Sequence, residues 1–468
     1  MNIRFSPTVD GIKGKLSALF GRGQDEEPDN PIIDTDEDGK SLFKEDIISG
    51  VLEDLQKRKD ERGMLEQQWT LNANFLVGNQ YCDINPYRGD IEQLSPVYDW
   101  MEREAFNNIA VLIDTRIANL KKISYKMKVK PRTNELDDYA KAEISTDILQ
   151  YAQNNTDFEA KKNTAIYWNE LCGNVFFLSW WDKDKGEIAA TEEVITTDEN
   201  GNEHKSERAY YQGDIDYGLI TPYELYPESV FKETLEAQRS VIIEQVKTAD
   251  DVYDLYGIKT EGGDVETFEL TPLSSGGGFG RENTVMTIGH RTMENAVKVI
   301  TYMEKPTRNR PHGKMIIVVG DDELAYYGDL PYDRIPIIQI TCREVAGQFY
   351  GKSVIEDLIP YQRALNGCIN KIHEYIKRLV LNEWYVQEGS VDIEEYETNG
   401  LHPGAMLVYE RGSQPPTPVP NGNLPAEIMQ ERYNLKSDME YVAGTSQLMV
   451  NGATPSGVTS GTAIENLM

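Results

Sequence analysis

Gly351-Lys-Ser-Val-Ile-Glu-Asp-Leu-Ile-Pro-Tyr-Gln-Arg-Ala-Leu-Asn-Gly-Cys-Ile-Asn-Lys371 reads as the opening of a long helix with two unlike faces. Apolar residues recur at Ile355, Leu358, Leu365, Ile369, Ile372, Ile376 and Leu379, three or four apart except where Gln362 breaks the stripe. A second stripe, Gln362, Asn366, Asn370, His373 and Lys377, climbs in steps of four, four, three and four. It is nearly uncharged and rich in hydrogen-bonding groups. One ordinary reading is the solvated back of a packed helix. A solvated back usually carries Glu and Lys, so regularly spaced amides predict a defined, wet surface.

Composition narrows the rest. Of 468 residues, 47 are Lys or Arg and 78 are Asp or Glu, a formal charge of −31. That balance argues against a protein that grips nucleic-acid phosphates over its whole surface, while permitting a local basic patch. The four cysteines, Cys82, Cys172, Cys342 and Cys368, form no CxxC pair. Reduced core thiols are expected rather than a disulfide framework or a zinc site. No apolar run approaches the roughly 18 residues of a membrane span. Residues 1–20 lack the apolar centre of a secretion signal, so a cytosolic setting is expected.

Working outward, periodicity predicts a short amphipathic helix in 1–20 and an acidic tether over 22–40. Further helices are predicted over 42–78, 97–123, 134–154, 157–171, 241–256 and 425–441. Asn174-Val-Phe-Phe-Leu-Ser-Trp-Trp181 has the pattern of a buried strand, followed by an acidic hairpin around 198–201 and a strand over 215–222. Residues 261–284, with Ser-Ser-Gly-Gly-Gly-Phe-Gly, are expected to be loop. Strands are predicted at 297–303, 315–319, 335–340, 384–387 and 405–409, with a stiff connector through Pro415, Pro416, Pro418 and Pro420. The fold class is α+β.

Three motifs invite chemistry. Asp34-Thr-Asp36-Glu-Asp38-Gly39, then five residues and Glu45, fits a calcium-loop pattern. Prolines precede it where an entering helix belongs, and Ser41 occupies a usually apolar position, so an acidic linker is the competing reading. Lys121-Lys-Ile-Ser-Tyr-Lys-Met-Lys-Val-Lys-Pro-Arg132 alternates like a strand and places Lys126, Lys128 and Lys130 on one face. It suits either phosphates or the acidic surface of a neighbouring subunit. Gly276-Gly-Gly-Phe-Gly280 lacks the flanking strand and Gly-Lys-Ser/Thr of a phosphate cradle. The five histidines show no HExxH spacing, and no Gly-x-Ser-x-Gly elbow occurs. Neither a catalytic residue, a metal ligand nor a cofactor is expected.

Four places, taken in order, resemble the portal proteins of tailed bacteriophages. The first is Asn107-Asn-Ile-Ala-Val-Leu-Ile-Asp-Thr-Arg-Ile-Ala-Asn-Leu-Lys-Lys-Ile123, followed by Met127-Lys-Val-Lys-Pro131 and an acidic helix from Asp137. The second is Gly173-Asn-Val-Phe-Phe-Leu178 with Trp181. The third is Tyr302-Met-Glu-Lys-Pro306, Pro311-His-Gly-Lys-Met315, Pro336 and Tyr350-Gly-Lys-Ser353. The fourth runs from Gly444-Thr-Ser through Gly452 to Ser460-Gly-Thr-Ala-Ile464.

That resemblance implies a flexible acidic arm at 1–42, a wing of helices and strands at 43–240, and a first stem helix and loop at 241–284. It further implies a β-rich clip at 285–345, a second stem helix at 346–382 and a wing return at 383–445. The channel-loop region and the start of a C-terminal helix would occupy 446–468, with the crown absent or truncated.

By the same resemblance the chain is a non-enzymatic virion protein of the capsid portal vertex, assembled in the host bacterial cytoplasm. Copies close into a ring, a dodecamer, that passes double-stranded DNA without sequence preference during packaging and ejection. The ring meets the terminase large subunit, the major capsid protein and head-tail connector or adaptor proteins, but no membrane. The expected channel lining is Gln362, Asn366, Asn370, His373, Lys377, Gln447, Asn451 and Thr454. The rivals are another phage head or neck adaptor protein, and an acidic cytosolic hydrolase with scattered carboxylates.

Overall fold

The computed structural model describes residues 32–35, 41–95, 101–123, 127–133, 135–182, 185–197, 203–269, 289–308, 310–381, 384–391, 408–419 and 425–445. In chain order come β1 (Ile32–Thr35), β2 (Ser41–Phe43), α1 (Lys44–Val77), β3 (Cys82–Ile84), β4 (Ile91–Gln93), α2 (Asn108–Lys122), α3 (Leu136–Asn155) and α4 (Phe158–Cys172). Next are β5 (Asn174–Asp182), β6 (Ile188–Thr197), β7 (Glu203–Tyr211), β8 (Asp214–Ile220), β9 (Leu225–Pro227), β10 (Ser240–Thr248) and α5 (Ala249–Tyr256). The remainder is β11 (Gly263–Glu269), β12 (Gly289–Glu304), β13 (Lys314–Val319), β14 (Glu323–Gly328), β15 (Ile337–Thr341), α6 (Val354–Leu381), β16 (Trp384–Tyr385), β17 (Thr417–Pro418) and α7 (Ala426–Ala443). The chain is mixed α+β. It divides into two compact units, the first Met1–Trp69, Leu120–Thr271 and Thr287–Ser353, the second Thr70–Asn119, Pro272–Met286 and Val354–Met468.

The first unit is built on a sheet in the order β14-β13-β12-β10-β9, with β11 also on β12. Successive side chains of a strand point to opposite faces, and here both faces are covered. Ile242, Ile300, Ile316 and Val318 meet Ile47, Ile48, Val51 and Leu55 of α1 on one side. Val297, Val299, Ile317 and Val319 meet Ala249 and Val252 of α5 on the other. Double-sided burial is why Met315-Ile-Ile-Val-Val319 is an unbroken apolar run. A second sheet, β15-β5-β8, carries α4 on one face, where Ala165 packs on Val175 and Phe177.

Two arginines of α1 tie down the turn before β9. Arg62, 1% exposed, donates to the carbonyls of Pro222, Tyr223 and Leu225, each at 2.8 Å, and pairs with Glu66. Its guanidinium lies 3.7 Å over the Tyr226 ring. One turn earlier, Arg58 reaches the Tyr226 carbonyl and Ser240 Oγ while pairing with Asp54. Buried carbonyls need donors, and Arg62 supplies them to the turn carbonyls of Pro222 and Tyr223.

In the second unit α7 packs on α6, with Cys368 Sγ against the Ile428 carbonyl at 3.4 Å. The predicted apolar stripe of α6 is buried at Ile355, Leu358, Leu365, Ile369 and Ile372, whereas Ile376 is half exposed.

Several expectations are corrected. The 241–256 helix is strand β10 over Ser240–Thr248 and only then the eight-residue α5, whose first turn is capped by Thr248 Oγ1 accepting from the Asp251 amide. Val241-Ile-Ile bears β-branched side chains that fit the middle of a sheet, between β9 and β12. Among the described residues, 241–256 therefore holds an eight-residue helix only, and one sheet takes strands from both 225–248 and 289–328. β15, expected within the clip, pairs with β5 instead. The 97–123 helix begins only at Asn108. Part of the expected 261–284 loop is β11, while 270–288 lies outside the described residues. Residues 127–131 are irregular rather than strand, and Lys126 lies outside the described residues. At the calcium-loop pattern β1 pairs antiparallel with β2.

Candidate functional site

The four resembling places pair off in space. In the first unit the second meets the third. Gly173 closes α4 with φ +82°, a conformation that favours glycine. A Cβ on it would sit 2.8 Å from the Gly351 carbonyl oxygen. Gly351 is equally confined, since a Cβ there would lie 2.5 Å from the Arg343 carbonyl oxygen and 2.1 Å from Thr341 Cγ2. Asn174 Oδ1 accepts from the Gly351 amide at 3.1 Å, and Ser353 Oγ donates to the Glu170 carbonyl at 2.5 Å. Tyr350, fully buried, donates to the Leu225 carbonyl at 2.8 Å. The chain is thereby fixed in direction just before α6 begins.

In the second unit the first place meets the fourth. Gly444, φ +68°, caps α7 through its amide to the Glu440 carbonyl. Arg116 of α2 donates to the carbonyl of Ala443 at 2.5 Å, satisfying one of the groups that a helix end leaves open.

The amide stripe of α6 has a different role from the expected one. Gln362, Asn366 and Asn370 are 0%, 2% and 4% exposed. Gln362 Oε1 accepts from the Asn108 amide at 3.1 Å, and Asn366 Oδ1 from the Phe106 amide at 3.0 Å. Asn370 Oδ1 accepts from the Glu104 amide at 3.2 Å, and Glu374 Oε1 from the Glu102 amide at 3.1 Å. Every fourth residue of a helix therefore serves every second residue of an antiparallel extended segment. The match is geometric: four helical residues rise about 6.0 Å and two extended residues about 6.6 Å. The side-chain amides replace a missing β-partner.

The same groups are satisfied as donors. Gln362 Nε2 reaches the Phe106 carbonyl at 2.7 Å, and Asn366 Nδ2 reaches Gln80 Oε1 at 2.6 Å. Asn370 Nδ2 reaches the Tyr81 hydroxyl at 2.5 Å, a phenol whose pKa burial raises. Gln80 in turn donates to Asn107 Oδ1 at 3.0 Å. Buried amides pair in this way because an unmade hydrogen bond there costs on the order of 1–3 kcal/mol.

The expectation that Gln362, Asn366 and Asn370 form a wetted lining is accordingly corrected: the subunit's own 102–109 segment covers them. His373 is partly exposed, its Nδ1 3.4 Å from Glu104 Oε2 and its ring edge-on to Phe106. Lys377 is exposed and pairs with Glu102. Gln447, Asn451 and Thr454 lie outside the described residues. Gln80, Tyr81, Asn107 and Glu374 are the members of the network that sequence reading passed over. Their signal was faint, an amide-rich Asn72-Ala-Asn-Phe-Leu-Val-Gly-Asn-Gln80 stretch at a helix end.

What the arrangement does is hold backbone. Among the described residues no cluster of His, Cys, Asp or Glu has the makings of a metal site. None of the described helices is long and apolar enough to cross a membrane. The class defined so far is a mixed α+β chain whose second unit holds a pinned long helix.

One family model matches part of the chain. The model of the Phage P22-like portal protein family matches residues 271–468, from β12 through α7 and onward, somewhat less than half of the chain. The match supports a phage portal protein, a structural and non-enzymatic kind. The third and fourth resembling places fall inside the matched stretch, and the first and second outside it. No curated protein matches the chain.

Proposed function

We propose that this chain is the repeating subunit of a portal ring that conducts double-stranded DNA at one capsid vertex. The observation that carries the reading is the family match over 271–468, joined by the contacts that bring its two motifs onto the two outside it. Copies close through heterologous contacts, the arrangement that turns one repeated interface into a ring. A ring of about a dozen would carry roughly −370 in formal charge before ions bind. A ring of that net charge repels phosphate and lets a duplex slide without capture. Of the expected lining, His373 and Lys377, together with Gln447, Asn451 and Thr454, face the lumen of the ring. The ring docks the terminase large subunit while DNA enters and connector proteins once it is full, and sits within the major capsid protein shell.

Negative-stain imaging with mass measurement of the purified chain tests this. Closed rings support the reading, and rings that form only on an added portal point to an adaptor. A persistent monomer with measurable hydrolytic turnover would return the reading to the acidic hydrolase.

A further inference from the structure

In the first unit β15 is the end strand of its sheet, paired with β5 and with no other described strand. The Cys342 amide donates to the Gly173 carbonyl on the β5 side. Strand alternation then turns the amides of Gln339 and Thr341 the opposite way. Ile338 and Ile340 are 60% and 44% exposed on this strand. An open ladder beside exposed isoleucines is a template for another strand. The edge borders a cleft of about 1010 Å³ that includes Ile338, Val345, Lys305, Arg334 and the carboxylates of Glu236, Asp333 and Glu344. Those three side chains are exposed, and no ion pair engages them among the described residues.

The chain contains the complement. In Met127-Lys-Val-Lys-Pro-Arg132 the cations Lys128, Lys130 and Arg132 alternate with Met127, Val129 and Pro131. The segment is irregular in the subunit and joins no ladder. Its three cations are exposed and also without an ion pair among the described residues. Thr146 Oγ1 takes the Val129 amide at 3.1 Å. Three cations at strand spacing thus answer three carboxylates around an open edge. Subunits that each carry −31 need local attraction to approach at all.

We propose that Met127–Arg132 of one copy lies along the outer edge of β15 of the next, as the strand-addition contact that closes the ring. Lys128, Lys130 and Arg132 face Glu236, Asp333 and Glu344, while Met127 packs on Ile338. This deepens the portal reading and rests on it.

The test is a disulfide between copies. Met127→Cys and Ile338→Cys are combined in a Cys342→Ser, Cys368→Ser background, which leaves Cys82 and Cys172, both buried. Mild oxidation of assembled rings is expected to give a ladder of covalent multimers on a non-reducing gel, and neither single cysteine alone gives one. Rings without the ladder, or a bond closed within one chain, overturn the contact while leaving the ring intact. Failure of the parent chain to form rings would instead defeat the portal reading and this contact with it.

Charge exchange gives a second readout. Lys128→Glu with Lys130→Glu, and Glu236→Lys with Asp333→Lys and Glu344→Lys, are each expected to cut assembly roughly tenfold or more. Mixing the two folded variants restores it, because each then offers the other a matching segment and cleft. Variants that assemble like the parent chain overturn the proposal.

Discussion

Replacing Asn366 by Leu isolates the helix-to-strand amide ladder. The substitution removes the acceptor for the Phe106 amide at 3.0 Å, the acceptor for Gln362 Nε2 at 2.9 Å and the donor to Gln80 Oε1 at 2.6 Å. Leucine is close in size, so little of the loss is cavity. Each orphaned buried group costs on the order of 1–3 kcal/mol, and partial rescue by neighbours brings the expected total to about 2–3 kcal/mol. Residues 102–107 have no strand partner among the described residues, so the local opening free energy of that segment falls by about the same amount. Hydrogen exchange at the Phe106 amide should then accelerate roughly 30- to 150-fold. The assay is residue-resolved amide exchange on the parent chain and the variant. In the parent, protection should alternate, high at Glu102, Glu104, Phe106 and Asn108, low at Arg103 and Ala105. Uniformly fast exchange across 102–108 in the parent, or no change in the variant, would refute the ladder. Lys371→Ala on the exposed side of α6 serves as control and should move stability by less than about 0.5 kcal/mol.

Other outcomes follow from the same structure. Arg62→Leu strips donors from three buried carbonyls and removes the ion pair with Glu66, so urea unfolding of the first unit should show a loss of about 3–5 kcal/mol, with Arg62→Lys recovering only part because an ammonium cannot fork. Gly351→Ala forces the Arg343 backbone or Thr341 to move and should cost about 1–3 kcal/mol in the same assay. Burial alone would raise the Asp216 carboxyl, but hydrogen bonds from Lys185, Lys161 and the Tyr217 amide hold it below the usual carboxylate range. A depressed carboxyl stabilises the fold above its unfolded pKa and loses that contribution as pH falls through the folded value. The melting-temperature gap between the parent and Asp216→Asn should therefore be full at neutral pH and close below about pH 4.

Local periodicity made much of this fold readable. The double-sided apolar run of β13 and the three-four spacing of α6 each announced their element, because burial is written in side-chain spacing. Val241–Tyr256 misled because its apolar residues fit either period, and only the flanking strands β9 and β12 decide for a strand. The chemistry of Gln362, Asn366 and Asn370 was equally plain, but their destination was not. Their partners lie some 250 to 290 residues earlier, and an amide stripe looks alike whether it faces water or an unpaired backbone. Motifs that seemed loosely ordered along the chain, Gly173-Asn174 with Gly351 and Arg116 with Ala443, acquire their reason only as contacts.

Charge-detection mass measurement with electron imaging of the purified chain tests the central claim most directly. The account predicts particles whose mass is a whole-number multiple of 53.1 kDa, closed around an axial opening wide enough for duplex DNA. A stable single-copy species of 53.1 kDa at micromolar concentration, with no ring at any salt concentration, would contradict it.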